Sequence, residues 1–320
     1  MDLAPQLIGV DIGGSGARAA CVEQGEEGEL CVGELHELTW DDDFRPLPLE
    51  EQLRYPGEVP ALEEIASGAR VARLAELILS CTDHDYLSCH VAAPGLLTED
   101  GYGVEVWRNG PRRSTLIHDL KLTVESQRGA LECELSPISP DSLACTLGEQ
   151  AAQGGALREA SNALCIAGGS GVGEGVIVEG RCFGLPELEP PLARAWELTG
   201  DAGASLEDQV APGRVLDVWR RAGREGAPEE QGEDEAAAAL LDARDRGVAR
   251  LVERADAWFR MRGLELERVV LSQTLGRLYS DDDARFGALA EALGGVELTA
   301  SSLRGAPLVG AVARGSEARS

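Results

Sequence analysis

Residues 8–20, IGVDIGGSGARAA, set an apolar run against an aspartate and then several flexible positions. The run 7–12 has the composition of a strand. Asp11 stands at its end. Gly13, Gly14, Ser15 and Gly16 follow, then Arg18 and a return to small apolar residues. Glycine allows positive φ without penalty, so backbone N–H groups here can turn inward around an anion without any lysine. A carboxylate beside such a cradle is placed to hold a magnesium ion through water. A plain β-hairpin leaves the same pattern, so the stretch alone does not decide between the two.

A second stretch resembles the first. Residues 162–184, NALCIAGGSGVGEGVIVEGRCFG, read as strand, glycine turn, strand, Glu-Gly turn and strand. Gly169, Ser170, Gly171 and Gly173 form the second candidate cradle. The two units lie about 160 residues apart, which suggests a duplicated architecture with one loop from each half. Further strands are expected over 18–23 and 29–38, and over 86–97 running into a Pro-Gly turn. Residues 63–81 show helical spacing at Ile65, Val71, Leu74, Leu77 and Ile78. Helices are also expected over 140–156, starting at Asp141 after a proline, and over 206–224 and 236–262. Residues 266–282 read as a strand, a turn and a helix start. Residues 41–60 and 223–235 read as surface loops.

With 320 residues and 43% hydrophobic content, the chain can bury one large or two medium cores. Aromatics make up only 4%, so packing rests on Leu, Val, Ile and Ala. The net charge of −27 argues against a nucleic-acid partner. No apolar run approaches the ~20 residues of a membrane span. The eight cysteines form no C-x-x-C pair and mostly sit in apolar runs, as expected of reduced thiols in a cytosolic, cytoplasmic protein. The cluster CTDHDYLSCH, 81–90, fits no zinc spacing, and Cys89 and His90 would alternate faces of a strand.

Other phosphate-binding folds are excluded by composition. A P-loop needs G-K followed by Ser or Thr, and the only lysine, Lys121, lies in HDLKLTV. A protein kinase needs its own β3 lysine. GSGVGEG, 169–175, has the wrong spacing for a dinucleotide fingerprint.

These motifs resemble those of the actin–sugar kinase–Hsp70 superfamily, and most closely the ROK family with the bacterial glucokinases. GVDIGGSGARAA is similar to its first phosphate motif, and GGSGVGEGVIVEGR to its second. HVAAPGLL, 90–97, resembles the family's G-x-P-G-x-V turn. DSLACTLGE, 141–149, resembles its N-D-A-N-A-A-A-x-G-E helix. SLEDQVAPGRVLDVWRRAG, 205–223, resembles the segment with a sugar-binding glutamate, and APLVGAVARG, 306–315, the closing helix. The resemblance implies an α/β, two-lobed actin-like (ribonuclease H-like) fold with duplicated mixed sheets and flanking helices. The lobes would span 1–139 and 140–305, with 306–320 packing back on the first. Sugar and nucleotide would lie between the lobes.

By the same resemblance the activity is ATP-dependent phosphorylation of a sugar hydroxyl. Asp141 would be the general base, and Asp11 would place magnesium. The two glycine loops would hold the phosphates. Glu207 and Asn109, in WRNGP, would contact the sugar. Homodimers are common in the family. Each residue also has a local reading: Asp141 as a helix cap, Glu207 as a first-turn acid. The sequence departs from the family in four places. Pro140 replaces an asparagine before Asp141. The E-x-G-H motif is missing, leaving Glu187 or Glu189 as stand-ins. The zinc-binding cysteines are missing, so no zinc is expected. The glycines that admit adenosine read LSQTLGR, 271–277, with Gln273 and Thr274 crowding the approach and only Gly276 as a substitute. A non-catalytic sugar or nucleotide binder, or a kinase of another small hydroxyl compound, are the alternative readings.

Overall fold

The computed structural model describes residues 4–317 except Glu27, Pro56, Ala130 and Glu233. The chain divides into two compact units. One runs to Gln153 and resumes at Gly305; the other is Gly154–Arg304.

The first unit opens with β1 (Gln6–Ile12), β2 (Gly16–Gln24), β3 (Leu30–Val32) and β4 (His36–Thr39). Two helices follow, α1 (Leu49–Arg54) and α2 (Ala61–Ser80). Then come β5 (Tyr86–Ala93), β6 (Leu96–Leu97), β7 (Val104–Val106), α3 (Leu116–Arg128), β8 (Glu132–Leu135), β9 (Ser139–Pro140) and α4 (Asp141–Ala151). The main sheet has the order β3-β2-β1-β5-β8, with β4 on β2 and β9 on β5. β1 and β2 form an antiparallel hairpin, whereas β5 runs parallel to β1, β8 and β9. As expected of a parallel strand covered on both faces, β5 is buried from Leu87 to Ala93. Leu74, Ile78, Leu120 and Val124 from α2 and α3 pack into the same core as Ile8 and Val10.

The second unit contains β10 (Ala163–Gly168), β11 (Val172–Val178), β12 (Arg181–Gly184), α5 (Leu206–Val210), α6 (Pro212–Arg221), α7 (Glu235–Met261), β13 (Arg268–Ser272), α8 (Gln273–Ser280), α9 (Asp283–Ala292) and β14 (Glu297–Ala300). Its sheet, β12-β11-β10-β13-β14, repeats the plan of the first: an antiparallel meander whose first strand then pairs with parallel strands. Val248, Leu251, Val252, Ala255 and Phe259 of α7 cover it.

The observed boundary differs from the expected one. It falls after Gln153, so Asp141 and all of α4 belong to the first unit. The cause is the C-terminal helix, Ala306–Glu317. A Cβ on Gly148 of α4 would overlap the carbonyl oxygen of Ala306, and one on Gly310 would overlap that of Ala144. The two backbones touch, and small residues make that approach possible. The segment 41–60, expected as a loop, contains α1. The expected helix 206–224 breaks into α5 and α6 at Ala211 (φ −64°, ψ 121°). Pro212 forces that break, because a proline disfavours helical backbone in the residue before it. The strand and helix pattern expected from the sequence also omits α3, α9, β7, β8, β9 and β14, which are short or lack a clear apolar period.

Candidate functional site

The first glycine stretch is the turn of the β1–β2 hairpin. Gly13 N–H donates to Gly16 O at 2.8 Å. Neither Gly13 nor Gly16 takes the left-handed backbone that a nest of alternating conformations requires. The glycines answer a different need: a Cβ on Gly16 would overlap Leu38 O on the neighbouring strand β4. Trp40, just beyond β4, completes the loop. Its backbone N–H donates to Ser15 O at 3.0 Å and its indole Nε1–H to Gly13 O at 2.9 Å. With these two carbonyls and the Gly13 amide engaged, the turn is held from one side.

Asp11 sits opposite Arg18 in the hairpin register, and Arg18 Nη2 pairs with its Oδ2 at 2.5 Å. The aspartate is 9% exposed. Asp141 lies at the same end of the sheet. Asp11 pairs in register with Ala92 of β5, and Ala92 with Ser139 of β9. Two strand spacings thus separate Asp11 from Ser139, roughly 10 Å, and Asp141 follows two residues on as the first residue of α4. Its Oδ1 accepts the Ser142 N–H at 2.7 Å, and the side chain is half-buried. The structure therefore brings Asp11, the first glycine turn and Asp141 to one end of one sheet.

Asn109 is on that unit but on another loop, the turn between β7 and α3. Two buried side chains fix this loop. Gln52 of α1, fully buried, accepts the Trp107 N–H and donates to Trp107 O and Leu47 O. Glu63 of α2 takes Arg112 through its backbone N–H, Nε and Nη2, at 2.7–2.9 Å.

The second glycine stretch is again a hairpin turn, with Gly169 N–H donating to Gly171 O at 2.9 Å. Gly169 and Gly171 also avoid left-handed backbone. Gly173 lies inside β11, opposite Ala167, and not in the turn. The start of α6 is tied to this turn, Gly213 N–H reaching Gly169 O at 2.9 Å, and Ser170 Cα is 3.0 Å from where a Cβ on Gly213 would sit. Glu207 of α5 is buried against it. Its Oε1 accepts the Val172 N–H at 3.2 Å and lies 2.6 Å from the position a Cβ on Gly171 would take. Gly171 is thus a glycine that admits a carboxylate. Glu189 is exposed on the segment after β12, while Glu187 accepts the Gly184 N–H at 2.6 Å.

Gln273 bridges Gly168, at the base of this turn. Its φ is +62°, left-handed backbone that favours glycine. Gly276 does not open a face: a Cβ there would overlap Leu271 O and Ser301 O, so it serves packing inside the unit. A non-glycine residue in left-handed backbone costs about 1–2 kcal/mol, partly offset in glycine by chain entropy. Gln273→Gly is therefore expected to raise the stability of the second unit by up to about 1 kcal/mol. Chemical denaturation of both proteins checks this; a destabilised variant would mean that the Gln273 side chain outweighs its backbone.

Among the described residues, no three or more of His, Cys, Asp and Glu are grouped to hold a metal ion. In 81–90, His90 lies between the hydroxyls of Ser88 and Ser136, and burial pushes the Cys81 thiol up to about 12. No described helix is long and apolar enough to cross a membrane.

No family model and no curated protein matches the sequence. Solved structures do match. A ROK family glucokinase from Streptomyces griseus, in complex with glucose and AMPPNP, aligns over 98% of this chain and 99% of its own, at TM-score 0.62 and 18% identity. The chain has the fold of the ROK sugar kinases. An inorganic polyphosphate/ATP-glucomannokinase from Arthrobacter aligns over 98% and 100%, at TM-score 0.59 and 18% identity. A ROK family transcriptional regulator, homologous to the E. coli MLC protein, aligns over 98% of this chain and 79% of its own, at TM-score 0.55 and 14% identity. The ROK fold explains why the two hairpins and two sheets repeat. It does not account for Trp40, Gln52 or Glu63. Their signals in the sequence were faint: an isolated tryptophan at a strand end and buried polar residues on helices.

Trp40→Phe keeps the ring and removes one hydrogen bond, worth about 1 kcal/mol. The first unit is expected to lose about that much stability. Chemical denaturation checks this; unchanged stability would remove Trp40 from the account of the loop.

Proposed function

We propose that this protein is a divergent ROK family kinase that transfers the γ-phosphoryl group of ATP to a sugar hydroxyl. The observation that carries the reading is the shared end of the sheet at which Asp11, the Gly13–Gly16 turn and Asp141 lie. Asp141 stands at the start of α4, half-buried, with one carboxylate oxygen held by the Ser142 amide. Such a carboxylate can accept the proton of a hydroxyl as its oxygen attacks phosphorus. Loose phosphoryl transfer needs positioning and charge neutralisation more than a strong base.

The Gly14 and Ser15 amides would face the phosphates, since the neighbouring carbonyls are turned away by Trp40. Magnesium fits the donor set. Arg18 holds Asp11 Oδ2 and leaves Oδ1, and magnesium is usually held by one or two carboxylates with water and substrate phosphates, not by a protein cage. Bound there, it would neutralise charge on the transferring phosphates. Glu207 and Asn109 are the proposed sugar contacts. Homodimerisation and a cytoplasmic site of action belong to the same proposal.

Glu207 favours a second reading. In the structure its carboxylate engages the amide at the end of the second glycine turn, where a phosphate would meet negative charge. That suits a protein which binds sugar or nucleotide without transferring phosphate, or a kinase of another small hydroxyl compound.

The test is ADP release with Mg-ATP and a panel of hexoses and N-acetylhexosamines, run beside equilibrium Mg-ATP binding. Sugar-dependent ADP release supports the kinase. Binding without release moves the protein to the second reading. Neither binding nor release defeats both.

A further inference from the structure

In the second unit, a strap of chain, residues 190–201, lies along α7. Four side chains of α7 hold it, spaced four residues apart and so on one face of the helix. Trp258 Nε1–H donates to Pro190 O at 2.8 Å, Arg254 Nη1 to Ala193 O, Arg250 Nη2 to Thr199 O at 2.8 Å, and Arg246 Nη2 to Asp201 Oδ2 at 3.0 Å. Three of these acceptors are backbone carbonyls, so the hold does not depend on the side chains of the strap.

Glu174 of β11 joins this pair to the sheet. Its side chain is 2% exposed. Oε1 takes Arg254 Nη2, and Oε2 accepts the Ala195 N–H at 3.0 Å. One carboxylate therefore ties β11, α7 and the strap. Burial pushes this carboxyl above the usual glutamate range, and Arg254 and the Ala195 amide pull the other way. Its register partner on β10 is the apolar Ile166. The charged groups around it, among the described residues, are Arg254 from α7 and Glu207, which α5 places two residues along β11.

The strap leads to Glu207. After the single 3-10 turn Ala195–Glu197, Leu198 O accepts the Leu206 N–H at 2.8 Å, and Thr199 bridges Ser205. Glu207 comes next, and its Oε1 returns to β11 at the Val172 N–H. Strand, strap and α5 thus form a closed circuit. We infer that Glu174 is a positioning residue for substrate recognition: joined to Arg254 and the Ala195 amide, it fixes the strap and thereby the place of Glu207. The inference rests on the reading of Glu207 as a sugar contact.

The test compares the full chain with Glu174→Gln. Glutamine is nearly isosteric and can still accept the Ala195 N–H, but it is not an anion for Arg254. Hydrogen exchange without substrate is expected to quicken about tenfold over 195–199 in the variant, with β10 and β13 still protected. KM for the sugar is expected to rise about tenfold, with kcat within about twofold. As pH falls, Glu174 takes a proton and loses its attraction for Arg254. Wild-type KM should therefore rise with acidification, starting at a higher pH than an exposed glutamate would give, and the variant should lack that limb. Unchanged exchange over the strap overturns the inference whatever the activity. So does faster exchange with an unchanged KM and pH profile, because the strap would then not reach the substrate. If neither protein releases ADP, the kinase reading fails by itself, and equilibrium binding of the same hexoses and N-acetylhexosamines replaces KM. No sugar binding at all removes Glu207 as a sugar contact and overturns the inference with it. If the variant does not fold, wild-type exchange over the strap, corrected for the intrinsic effect of pH, must quicken on acidification; constant protection overturns the inference.

Discussion

Asp141→Asn is expected to lower kcat for sugar phosphorylation by about 10²–10⁴-fold, the range of a lost general base. The substitution is nearly isosteric, and its side-chain oxygen can still accept the Ser142 N–H that Asp141 accepts at 2.7 Å. Helix α4 should therefore start where it does now. Mg-ATP binding should stay within about twofold, because the proposed phosphate contacts lie on the β1–β2 turn. Steady-state kinetics beside nucleotide titration measures both. A kcat that falls less than tenfold would relegate Asp141 to a helix-start residue. A parallel loss of binding would show that it holds phosphate or metal instead.

Gly310→Ala is expected to destabilise the first unit by about 3 kcal/mol or more, near the upper end for overpacking. The added methyl group would overlap the Ala144 carbonyl oxygen, which is backbone and cannot swing aside. Helix α4 or the C-terminal helix must shift. Because α4 begins at Asp141, activity should fall together with stability. Denaturant unfolding monitored alongside turnover checks the pairing. A stable, fully active Gly310→Ala protein would mean that the helices can part without moving Asp141.

Local signals made both glycine hairpins legible. Each lies between apolar strands, and the turn and its flanks are contiguous. The start of α4 was legible for the same reason, from Pro140 and Asp141. What escaped the sequence depends on distant partners. The boundary after Gln153 is set by the contact of Gly148 with Ala306, far apart in the chain. The role of Trp40 depends on Gly13, 27 residues away. Gln52 sits on a six-residue helix, too short to show a period. The glycines were found but given the wrong cause. Gly16 and Gly171 are small because Leu38 and Glu207 press on them, not because φ is positive. Conversely, Gln273 of the second unit takes left-handed backbone, as Glu179 does, where propensity would place neither.

The first unit is assembled from two stretches of chain, one ending at Gln153 and one beginning at Gly305. During synthesis, its sheet leaves the ribosome early but lacks the helix that covers Gly9 and Gly148 until residues 305–317 follow. At 5–20 residues per second, the first strand waits roughly 15–60 s for that helix. The second unit is continuous and can complete itself during the wait. Newborn chains therefore carry an uncovered sheet face for tens of seconds, and chaperone capture in this interval should concentrate on the earlier-made half.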